Sequence, residues 1–447
     1  MTKVGGAAVR SAPIWLTTLA IVLIALNLRG PIVATAPVLD QMIGDLRLSA
    51  VVAGLLTSIP VLCFALASPL ASGLIVKLGP ERAVSIGLAG VLVGTVLRAL
   101  GTSSWLYVGT IVIGVAITVG NVVLPVIIRR DFSPERVGFV TGIYTSALNV
   151  GSMITSLATA PIAAAVGWPL ALITWGVLAV LAAVVWSIAV GPRVAFGRGR
   201  PAGVAGGVGG VADAPGASGP DDATRASSPG AGSTSASDVL TGGISVVDEA
   251  SAARDAAERR RPLLRRATTW GLMLAFSGQA FAYYGLTAWM PTLLRDEVGL
   301  TREAAGASSS IFQILAVVGA LGVPLLALRV RPAVVIAIIA VCWTAMPLGL
   351  LFAPEMWFFW SLFGGAAQGG GITIVFIVIV RMASTDDDAR RLSALVQGGG
   401  YAIASLGPLA IGALHDVSGG WQLPMVGVFL STVVLGVSGV LSSRRVR

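Results

Sequence analysis

The chain has 447 residues, of which 55% are hydrophobic and only 11% are charged. Soluble globular domains carry about 25% charged residues, so this composition excludes an ordinary soluble protein and predicts a chain embedded in a lipid bilayer. The formal net charge of +9 does not indicate a nucleic-acid partner, because the arginines cluster in alternate loops, as membrane topology requires.

Apolar stretches predict an all-α polytopic membrane protein with twelve transmembrane helices. The hydrocarbon core of a bilayer is about 30 Å thick and needs about 20 mostly apolar residues of helix to cross it. The stretches that meet this requirement are 14–38, 50–73, 83–100, 104–128, 138–163, 168–190, 269–292, 304–328, 332–352, 355–381, 391–414 and 421–442.

The first predicted span contains one charged residue, Arg29, within an otherwise apolar run. No other charge lies between Ile14 and Leu39. At about 1.5 Å per residue, Arg29 lies roughly 22 Å along the helix axis from Ile14, which places it inside the hydrocarbon core. An arginine at that depth costs at least about 2.5 kcal/mol, so we expect that function retains it.

Proline follows asparagine by four residues in both the first and the fourth spans, as Asn27 with Pro31 and Asn121 with Pro125. Proline has no N–H, so the asparagine carbonyls lose their helical partners. Such groups are tolerated at membrane depth where protein or a wet cavity surrounds them. We predict that the asparagines bind substrate and that the prolines break their helices; a kink satisfied by local polar groups is the alternative. Asn27 and Arg29 point to different helix faces unless the break turns one of them.

The interiors of the predicted spans contain no acidic residue. All 21 map to loops, helix ends or a central linker, and the closest to a span are Asp40 and Asp416. Proton-driven antiporters for cations usually need a carboxylate in the transport path, so cationic substrates are disfavoured. Arg29 without a matching acid favours an anion or an electron-rich neutral solute, bound through charge-assisted hydrogen bonds. Arg98, late in the third span, is expected to snorkel to the outer interface.

Polar and aromatic residues recur at helical spacing in the second half. Gln279 and Tyr283 are four residues apart on the seventh span, as are Gln397 and Tyr401 on the eleventh, so each pair shares a helix face. Gln368 lies mid-way along the tenth span beside three glycines, which permit close helix approach. Each of these side chains is read either as a substrate contact or as an interhelical hydrogen bond. Weaker candidates on the fifth span are Tyr144 and Asn149.

Residues 191–267 are predicted to form a flexible cytoplasmic linker between an N-terminal six-helix bundle, 1–190, and a C-terminal one, 268–447. The linker is rich in Gly, Ala, Ser, Pro and Asp and has no apolar periodicity. Its basic end, 252–266, is read as a positive-inside anchor or as a segment that lies on anionic lipid. The loops that share a side with the N-terminus carry most of the remaining basic residues, which predicts a plasma-membrane protein with both termini in the cytoplasm.

The two halves resemble each other in sequence. Leu48 to Gly54 aligns with Leu300 to Gly306 at an offset of 252, and Gly167-Trp168 aligns with Gly420-Trp421 at an offset of 253. Six spans repeated in parallel orientation are typical of a two-bundle secondary transporter with alternating access. We therefore expect a monomer that moves a small-molecule solute across the bilayer.

Motifs in both halves carry a family resemblance. They are Leu26-Asn27-Leu28-Arg29, Leu97-Arg98, Gly120 to Phe132, Ala288 to Pro291 and Val396 to Tyr401. Together they resemble the cyanate/nitroimidazole transporter family, which belongs to the major facilitator superfamily. That family usually has proline directly after the arginine, whereas Gly30 intervenes here.

The resemblance implies a twelve-helix transporter whose first, fourth, seventh and tenth spans line a central cavity. It also implies small anions such as cyanate, or small heteroaromatic drugs, as substrates, with import and export both open. The cavity positions that it supports are Arg29, Asn27, Asn121, Gln279, Tyr283 and Gln368, with Tyr144 and Gln397 added from the fifth and eleventh spans.

The loop between the second and third predicted spans also resembles a superfamily motif. Its glycine and basic residues, from Gly73 to Arg82, resemble the gating loop of the major facilitator superfamily. The acidic residue expected within that motif is missing, and Val76 or Lys77 stands near its place. The resemblance implies gating roles for Gly73 and Arg82.

Two other functions compete with this prediction. A broad-specificity drug efflux transporter of the same fold would have a large apolar cavity and depend little on Arg29. A membrane enzyme or sensor is disfavoured, because the spans offer no carboxylate and no histidine apart from His415 near an end. With Cys63 and Cys342 far apart in sequence, we expect no metal site and no cofactor. Proton symport, exchange and uniport all remain open as coupling modes.

Overall fold

The computed structural model describes residues 13–196, 263–383 and 385–444. Within these ranges the chain is helical and forms no strand. Ten of the described helices are long and apolar enough to cross a membrane, and the bent pair Ala50–Leu66 with Ser68–Leu78 raises the number to eleven. The 32-residue helix Ala267–Val298 is long enough to cross as well, but it is too polar to qualify on hydropathy. The predicted all-α polytopic membrane fold is confirmed.

Six spans in the first half follow the predicted order. Span 1 is interrupted: its helices are Ile14–Leu26, Gly30–Val33 and Leu39–Leu46, with a 3₁₀ turn at Ala36–Val38. Span 2 bends by 56° where Ala67 separates its two helices. The others are span 3 (Pro80–Arg98), span 4 (Ser103–Asp131), span 5 (Pro134–Val166) and span 6 (Trp168–Thr174 with Gly176–Val190), followed by the short helix Pro192–Phe196.

The second half repeats this order. It contains span 7 (Ala267–Val298), span 8 (Arg302–Ile314 with Ala316–Ala327), span 9 (Pro332–Phe352), span 10 (Trp357–Met382), span 11 (Asp386–Ala404 with Leu406–Ser418) and span 12 (Gln422–Ser443), with 3₁₀ turns at Leu263–Arg265 and Pro354–Met356. Residues 1–12, 197–262 and 445–447 lie outside the described part. Most of the predicted linker and both chain ends therefore lie there too.

Glycines set how closely neighbouring spans approach. Gly94 in span 3 and Gly109 in span 4 face each other's backbone, and a Cβ at Gly94 would lie 2.8 Å from the Gly109 carbonyl oxygen. In the second half a Cβ at Gly319 of span 8 would overlap the Ala366 carbonyl of span 10. Small residues permit such backbone approaches, which supply packing energy where lipid offers no hydrophobic driving force.

Two contacts between the halves are related by the internal repeat. Gly54 of span 2 packs on the carbonyl of Pro408 in span 11, and Gly306 of span 8 packs on the carbonyl of Ser156 in span 5. The offset of 252 that aligns Gly54 with Gly306 also aligns Ser156 with Pro408. The Ser156 hydroxyl additionally donates to the Gly306 carbonyl over 3.1 Å. Spans 2 and 5 thus meet spans 11 and 8 through equivalent backbone contacts.

An indole–carboxylate hydrogen bond recurs within each half at the repeat spacing. Trp168 Nε1 donates to Asp45 Oδ2 over 2.9 Å, and Trp421 Nε1 donates to Asp296 Oδ2 over 3.0 Å. Each bond ties the beginning of the sixth span of a half to the end of its first span. The pairing explains why a Gly-Trp step recurs in the two halves.

Ion pairs join the halves at the ends of spans 1 and 7. Asp40, in the last helix of span 1, accepts from Arg302 Nη2 over 2.6 Å and forms a second ion pair with Arg295. Nearby in the fold, the Val51 N–H at the start of span 2 donates to Asp416 Oδ2 over 3.2 Å. These groups are partly exposed, so each pair contributes a modest energy, about 1 kcal/mol or less.

Candidate functional site

Span 1 is interrupted in its middle at Arg29. The helix that begins at Ile14 ends at Leu26, a turn follows, and helix resumes at Gly30 with Pro31 in its first turn. Arg29 has φ −129° and ψ −32°, and this φ lies far from the helical value of about −63°. The break therefore begins one turn earlier than Pro31 alone predicts. It places a charged residue in the turn between the two helices of span 1.

Glycines on two neighbouring spans hold the broken segment. Gly151 of span 5 packs directly on the Leu26 carbonyl, and Gly120 of span 4 receives the Leu28 side chain. At Gly30 a Cβ would lie 3.1 Å from Thr155 Cγ2, which is tighter than most side-chain contacts. The extra glycine before the proline thus lets span 5 pack against the break.

Arg29 binds one side chain from each half of the chain. Its Nη1 donates to Asn149 Oδ1 over 3.2 Å, and its Cζ lies 5.2 Å from the centroid of the Tyr283 ring. Asn149 in turn donates through Nδ2 to the Thr145 carbonyl over 3.0 Å, which turns its amide oxygen toward Arg29. The ring distance is within the range of a cation–π interaction, worth about 0.5–2 kcal/mol. Arg29 as a residue is only half-buried.

Tyrosines surround this guanidinium. Four of the five tyrosines in the chain lie close enough to interact electrostatically with Arg29: Tyr144, Tyr283, Tyr284 and Tyr401. The Tyr283 and Tyr284 rings meet edge to face at 4.8 Å, and Tyr284 lies 6.5 Å from Tyr401. These residues form an aromatic wall with hydroxyl groups, contributed by spans 5, 7 and 11.

No carboxylate forms an ion pair with Arg29 in the described ranges. The acidic side chains that do form ion pairs, such as Asp40 and Glu81, lie at helix ends and bind other arginines. A guanidinium held by an amide and an aromatic face keeps its full charge and several free donors. It can therefore bind an anionic or electron-rich group by charge-assisted hydrogen bonds.

Two asparagines predicted from the Asn-x-x-x-Pro spacing occupy different surroundings. Asn27 is buried, and its Nδ2 donates to the Leu23 carbonyl of its own helix over 2.8 Å. Asn121 accepts from the Tyr144 hydroxyl over 3.4 Å, which connects it to the aromatic wall. Span 4 runs unbroken through Pro125, so the predicted break there is wrong. A proline removes one hydrogen bond only, and neighbouring helices can satisfy the freed carbonyl.

The glutamines of the second half bind other parts of the protein. Gln279 donates to the Gln368 carbonyl over 2.7 Å and accepts from Trp343 Nε1, joining spans 7, 9 and 10. The Gln368 amide is fully buried, and neither its oxygen nor its nitrogen has a hydrogen-bond partner in the described ranges. Gln397 is half-buried and donates to Ser393 on its own helix over 2.7 Å. Only Tyr283 of the predicted span 7 pair contacts Arg29.

The predicted gating loop is shorter than the sequence suggests. Helix Ser68–Leu78 contains Gly73, so this glycine lies in a helix and not in a loop. Gly79, with φ +87°, alone separates that helix from span 3, whose first turn contains Arg82. Beside it, Glu81 forms an ion pair with Arg130 Nη1 of span 4 at 2.6 Å. An apolar helix that ends in a basic turn is hard to separate from a loop by composition alone.

Arg98 lies deeper than predicted. It is 2% exposed, and its Nη1 donates to the Pro31 carbonyl over 2.6 Å, so the prediction that it snorkels outward is wrong. Span 4 packs against the Arg98 backbone at Gly109, and the side chain finds its hydrogen-bond acceptor on span 1 instead of at the membrane interface. Sequence reasoning also missed Tyr284 and ranked Asn149 too low. The scarcity of tyrosine in the chain is the sequence signal that could have indicated Tyr284.

The family model of the Major Facilitator Superfamily matches residues 17–354. An uncharacterized transporter of Bacillus subtilis, YycB, is 29% identical over 95% of this chain and 92% of its own length. The 2-nitroimidazole transporter of Escherichia coli is 27% identical, covering 95% of this chain and 94% of that protein. The cyanate transport protein CynX of Escherichia coli is 24% identical over 91% of each.

A solved structure shares the fold at low sequence identity. A bacterial homologue of the human lysosomal transporter Spinster, in an inward-facing and occupied conformation, superposes with a TM-score of 0.70. It covers 98% of this chain and 98% of its own, at 16% identity. At that identity the likeness establishes the fold alone.

Proposed function

This chain belongs to the Major Facilitator Superfamily and is a membrane transporter rather than an enzyme, and on that premise we propose that it moves a small anionic or polar heteroaromatic solute. In this proposal Arg29 is the main substrate-binding group, and alternating access carries the solute past it. The predicted substrate-binding roles of Asn27, Asn121 and Tyr144, and of four second-half residues, remain part of the proposal: Gln279, Tyr283, Gln368 and Gln397.

One observation carries the proposal: the half-buried guanidinium of Arg29 has an amide and an aromatic ring as neighbours and no carboxylate partner in the described ranges. A charge removed from water needs compensation, and an unpaired one costs several kcal/mol. A negatively charged or electron-rich group on the solute supplies this compensation. The solute then binds at the positive charge for which the protein itself provides no carboxylate partner in the described ranges.

The aromatic wall supports the heteroaromatic part of the proposal. A nitro group or a cyanate ion offers acceptor atoms to the guanidinium, and a flat ring has tyrosine faces to stack against. Two relatives carry the names 2-nitroimidazole transporter and cyanate transport protein, which are chemically within this class. The charged group and the aromatic surface together suit a solute that has both features.

Flux measurements on proteoliposomes test the role of Arg29. Vesicles with the wild type take up cyanate or 2-nitroimidazole, and Arg29→Ala abolishes this uptake while the purified variant keeps its elution profile and thermal unfolding. Arg329→Ala removes an exposed arginine of a loop and serves as the matched control, with flux unchanged. Uptake by Arg29→Ala at the wild-type rate would contradict the assigned role.

Broad-specificity drug efflux is a second candidate, favoured by the apolar side of the aromatic cluster. Tyr401 meets Phe64 at 5.3 Å and Phe276 at 4.9 Å, both edge to face, so hydrophobic rings also find partners there. Resistance profiling of cells with and without the protein separates the candidates. Sensitivity to one narrow chemical class supports the first, and resistance to many unrelated drugs, independent of Arg29, supports the second.

The topology forms a further part of the proposal. We place the chain in the plasma membrane as a monomer with both termini in the cytoplasm, its two six-helix bundles joined by the linker 191–267. The basic residues at the span 4–5 and span 8–9 connections, among them Arg130, Arg136, Arg329 and Arg331, support this orientation through the positive-inside rule. Protease access to a C-terminal tag in inside-out and right-side-out vesicles tests it.

A further inference from the structure

Arg98 is a second intramembrane arginine, and transport past Arg29 does not use it. It ends span 3, and its side chain is 2% exposed. Nη1 donates to the Pro31 carbonyl, whereas Nε and Nη2 are buried without any hydrogen-bond partner in the part of the chain that the structure describes. No carboxylate forms an ion pair with it there either.

A small cavity adjoins this guanidinium. Its walls are Pro31, Ala34, Thr95, Arg98, Leu172 and Trp175, and it has room for about one water-sized species. These residues come from span 1 just after the break, from span 3 and from span 6. The cavity is therefore enclosed within the first half and lies beside the segment that contains Arg29.

Arg98 supplies the free donors of the cavity wall. The Thr95 hydroxyl donates to the Val91 carbonyl over 2.7 Å, and Trp175 Nε1 donates to Thr159 over 2.9 Å. Ala34 and Leu172 contribute apolar surface. A ligand here therefore lies beside the Arg98 guanidinium, whose Nε and Nη2 have no partner among the described residues, and touches carbon on its other sides.

Size and charge together select the ligand. The unpaired charge on Arg98 costs several kcal/mol if nothing compensates it. A water molecule accepts hydrogen bonds from N–H groups but does not neutralise the charge, whereas a monovalent anion does both. The cavity is too small for a triatomic or aromatic anion, so a halide ion, which is only slightly larger than a water molecule, is the anion that it accommodates with the least displacement of its walls. We propose that this cavity is a chloride-binding site, separate from the transport site at Arg29.

A chloride ion at this position also stabilises the interrupted segment of span 1. The anion neutralises the guanidinium that holds the Pro31 carbonyl, two residues after Arg29. The bound ion is thus a structural component of the first half, and it does not move with the solute. The site depends on Arg98 and on the space at Ala34, independently of what Arg29 binds.

Thermal unfolding of the purified full-length protein tests the site. Sodium gluconate is replaced stepwise by sodium chloride at constant ionic strength, and the unfolding temperature is measured. We expect a saturable rise for the wild type, because a ligand that binds only the folded state stabilises it. The rise is lost in Arg98→Gln and retained in Arg29→Gln. A rise that survives in Arg98→Gln and disappears in Arg29→Gln overturns the proposal.

Two further measurements keep the test decisive where Arg98→Gln does not fold. Ala34→Val adds two methyl groups at the cavity wall while keeping Arg98, and it is expected to abolish the chloride-dependent rise. Anomalous scattering from wild-type crystals grown in sodium bromide is expected to give a peak beside Arg98 Nε and Nη2. The absence of both a chloride effect and a bromide peak in the wild type assigns the cavity to water and overturns the proposal.

Discussion

The guanidinium of Arg29 stacks on the ring of Tyr283 at 5.2 Å, which brings the first span of one half against the first span of the other. In the alternating-access mechanism proposed above, the two halves move relative to each other, and this contact joins them. A solute that binds Arg29 and the tyrosine wall therefore touches both halves at once. It can favour one relative arrangement of the halves over another through its differential contacts.

Tyr283 is expected to act through its ring and not through its hydroxyl. The hydroxyl donates to Gln313 over 3.2 Å, away from the guanidinium. Tyr283→Phe keeps the aromatic face and should change the solute KM by less than about threefold, whereas Tyr283→Leu should raise it by up to about thirtyfold through loss of up to about 2 kcal/mol. Concentration-dependent uptake into proteoliposomes measures both. Equal effects of the two substitutions would assign the role to the hydroxyl.

Asn149 offers a test of electrostatic balance at Arg29. Asn149→Ala removes a hydrogen bond of 3.2 Å and should weaken solute affinity by about two- to tenfold. Asn149→Asp places a carboxylate at the same atom, neutralises the guanidinium from within the protein and should abolish uptake of anions. Uptake is compared at equal amounts of folded protein. The proposal fails if Asn149→Asp transports an anion better than Asn149→Ala.

Breaking the ion pairs of Asp40 should loosen the contact between the halves. Asp40→Asn removes the charge that Arg295 and Arg302 share, worth about 1 kcal/mol, so the end of span 1 should separate more often from spans 7 and 8. The reporter is a cysteine at Val38, which is fully buried, in a chain where Cys63 and Cys342 are replaced by serine.

Maleimide labelling of that cysteine is expected to be about fivefold faster in Asp40→Asn, the ratio that 1 kcal/mol produces. The matched control is Asp45→Asn, which removes the charge of a carboxylate that accepts a hydrogen bond from Trp168 within the first half. Labelling that accelerates equally in both variants indicates general loosening and contradicts a specific role for the ion pairs.

Two glycines of the same helix should differ sharply in their tolerance of alanine. A Cβ at Gly319 would overlap the Ala366 carbonyl, whereas Gly322 has no heavy atom within 4 Å. Gly319→Ala should therefore lower the free energy of unfolding by about 1–3 kcal/mol, and Gly322→Ala should be neutral or stabilising. Thermal unfolding in detergent compares them. Similar unfolding temperatures would mean that spans 8 and 10 are less tightly packed than described.

The order and number of spans could be predicted because a bilayer imposes a length and a composition on every helix that crosses it. The importance of Arg29 was predictable for the same reason, since a charge is conspicuous in apolar sequence. The hydrogen-bond and ring partners of the side chains were harder to predict from the sequence. Gln279 and Tyr283 share a helix face, yet one binds Trp343 and the other contacts Arg29. Spacing identifies a face, and only the packing of the other spans determines what lies opposite.

Helix interruptions were predicted with mixed success for a physical reason. Pro31 follows a break and Pro125 sits in a continuous helix, although both have an asparagine four residues before them. The two sites differ in their neighbours: Gly151 of span 5 packs directly on the carbonyl of Leu26, the residue at which the first helix of span 1 ends. No property of span 1 alone contains this information. Arg98 was misplaced for a similar reason, because its partner carbonyl belongs to another span.

The internal repeat also gives Arg29 a counterpart in span 7, which is Ala280 at the offset of 251 that relates Asp45 to Asp296 and Phe281 at the offset of 252 that relates Gly54 to Gly306. The frame thus has a guanidinium at one position and an apolar side chain at the equivalent one. At this pair of positions the two halves are therefore chemically unequal. In the proposed function, a solute with its negative group at one end binds Arg29 in one orientation and keeps that orientation as the halves rock. Regioisomers that differ only in where they carry the negative group are then expected to be distinguished as substrates.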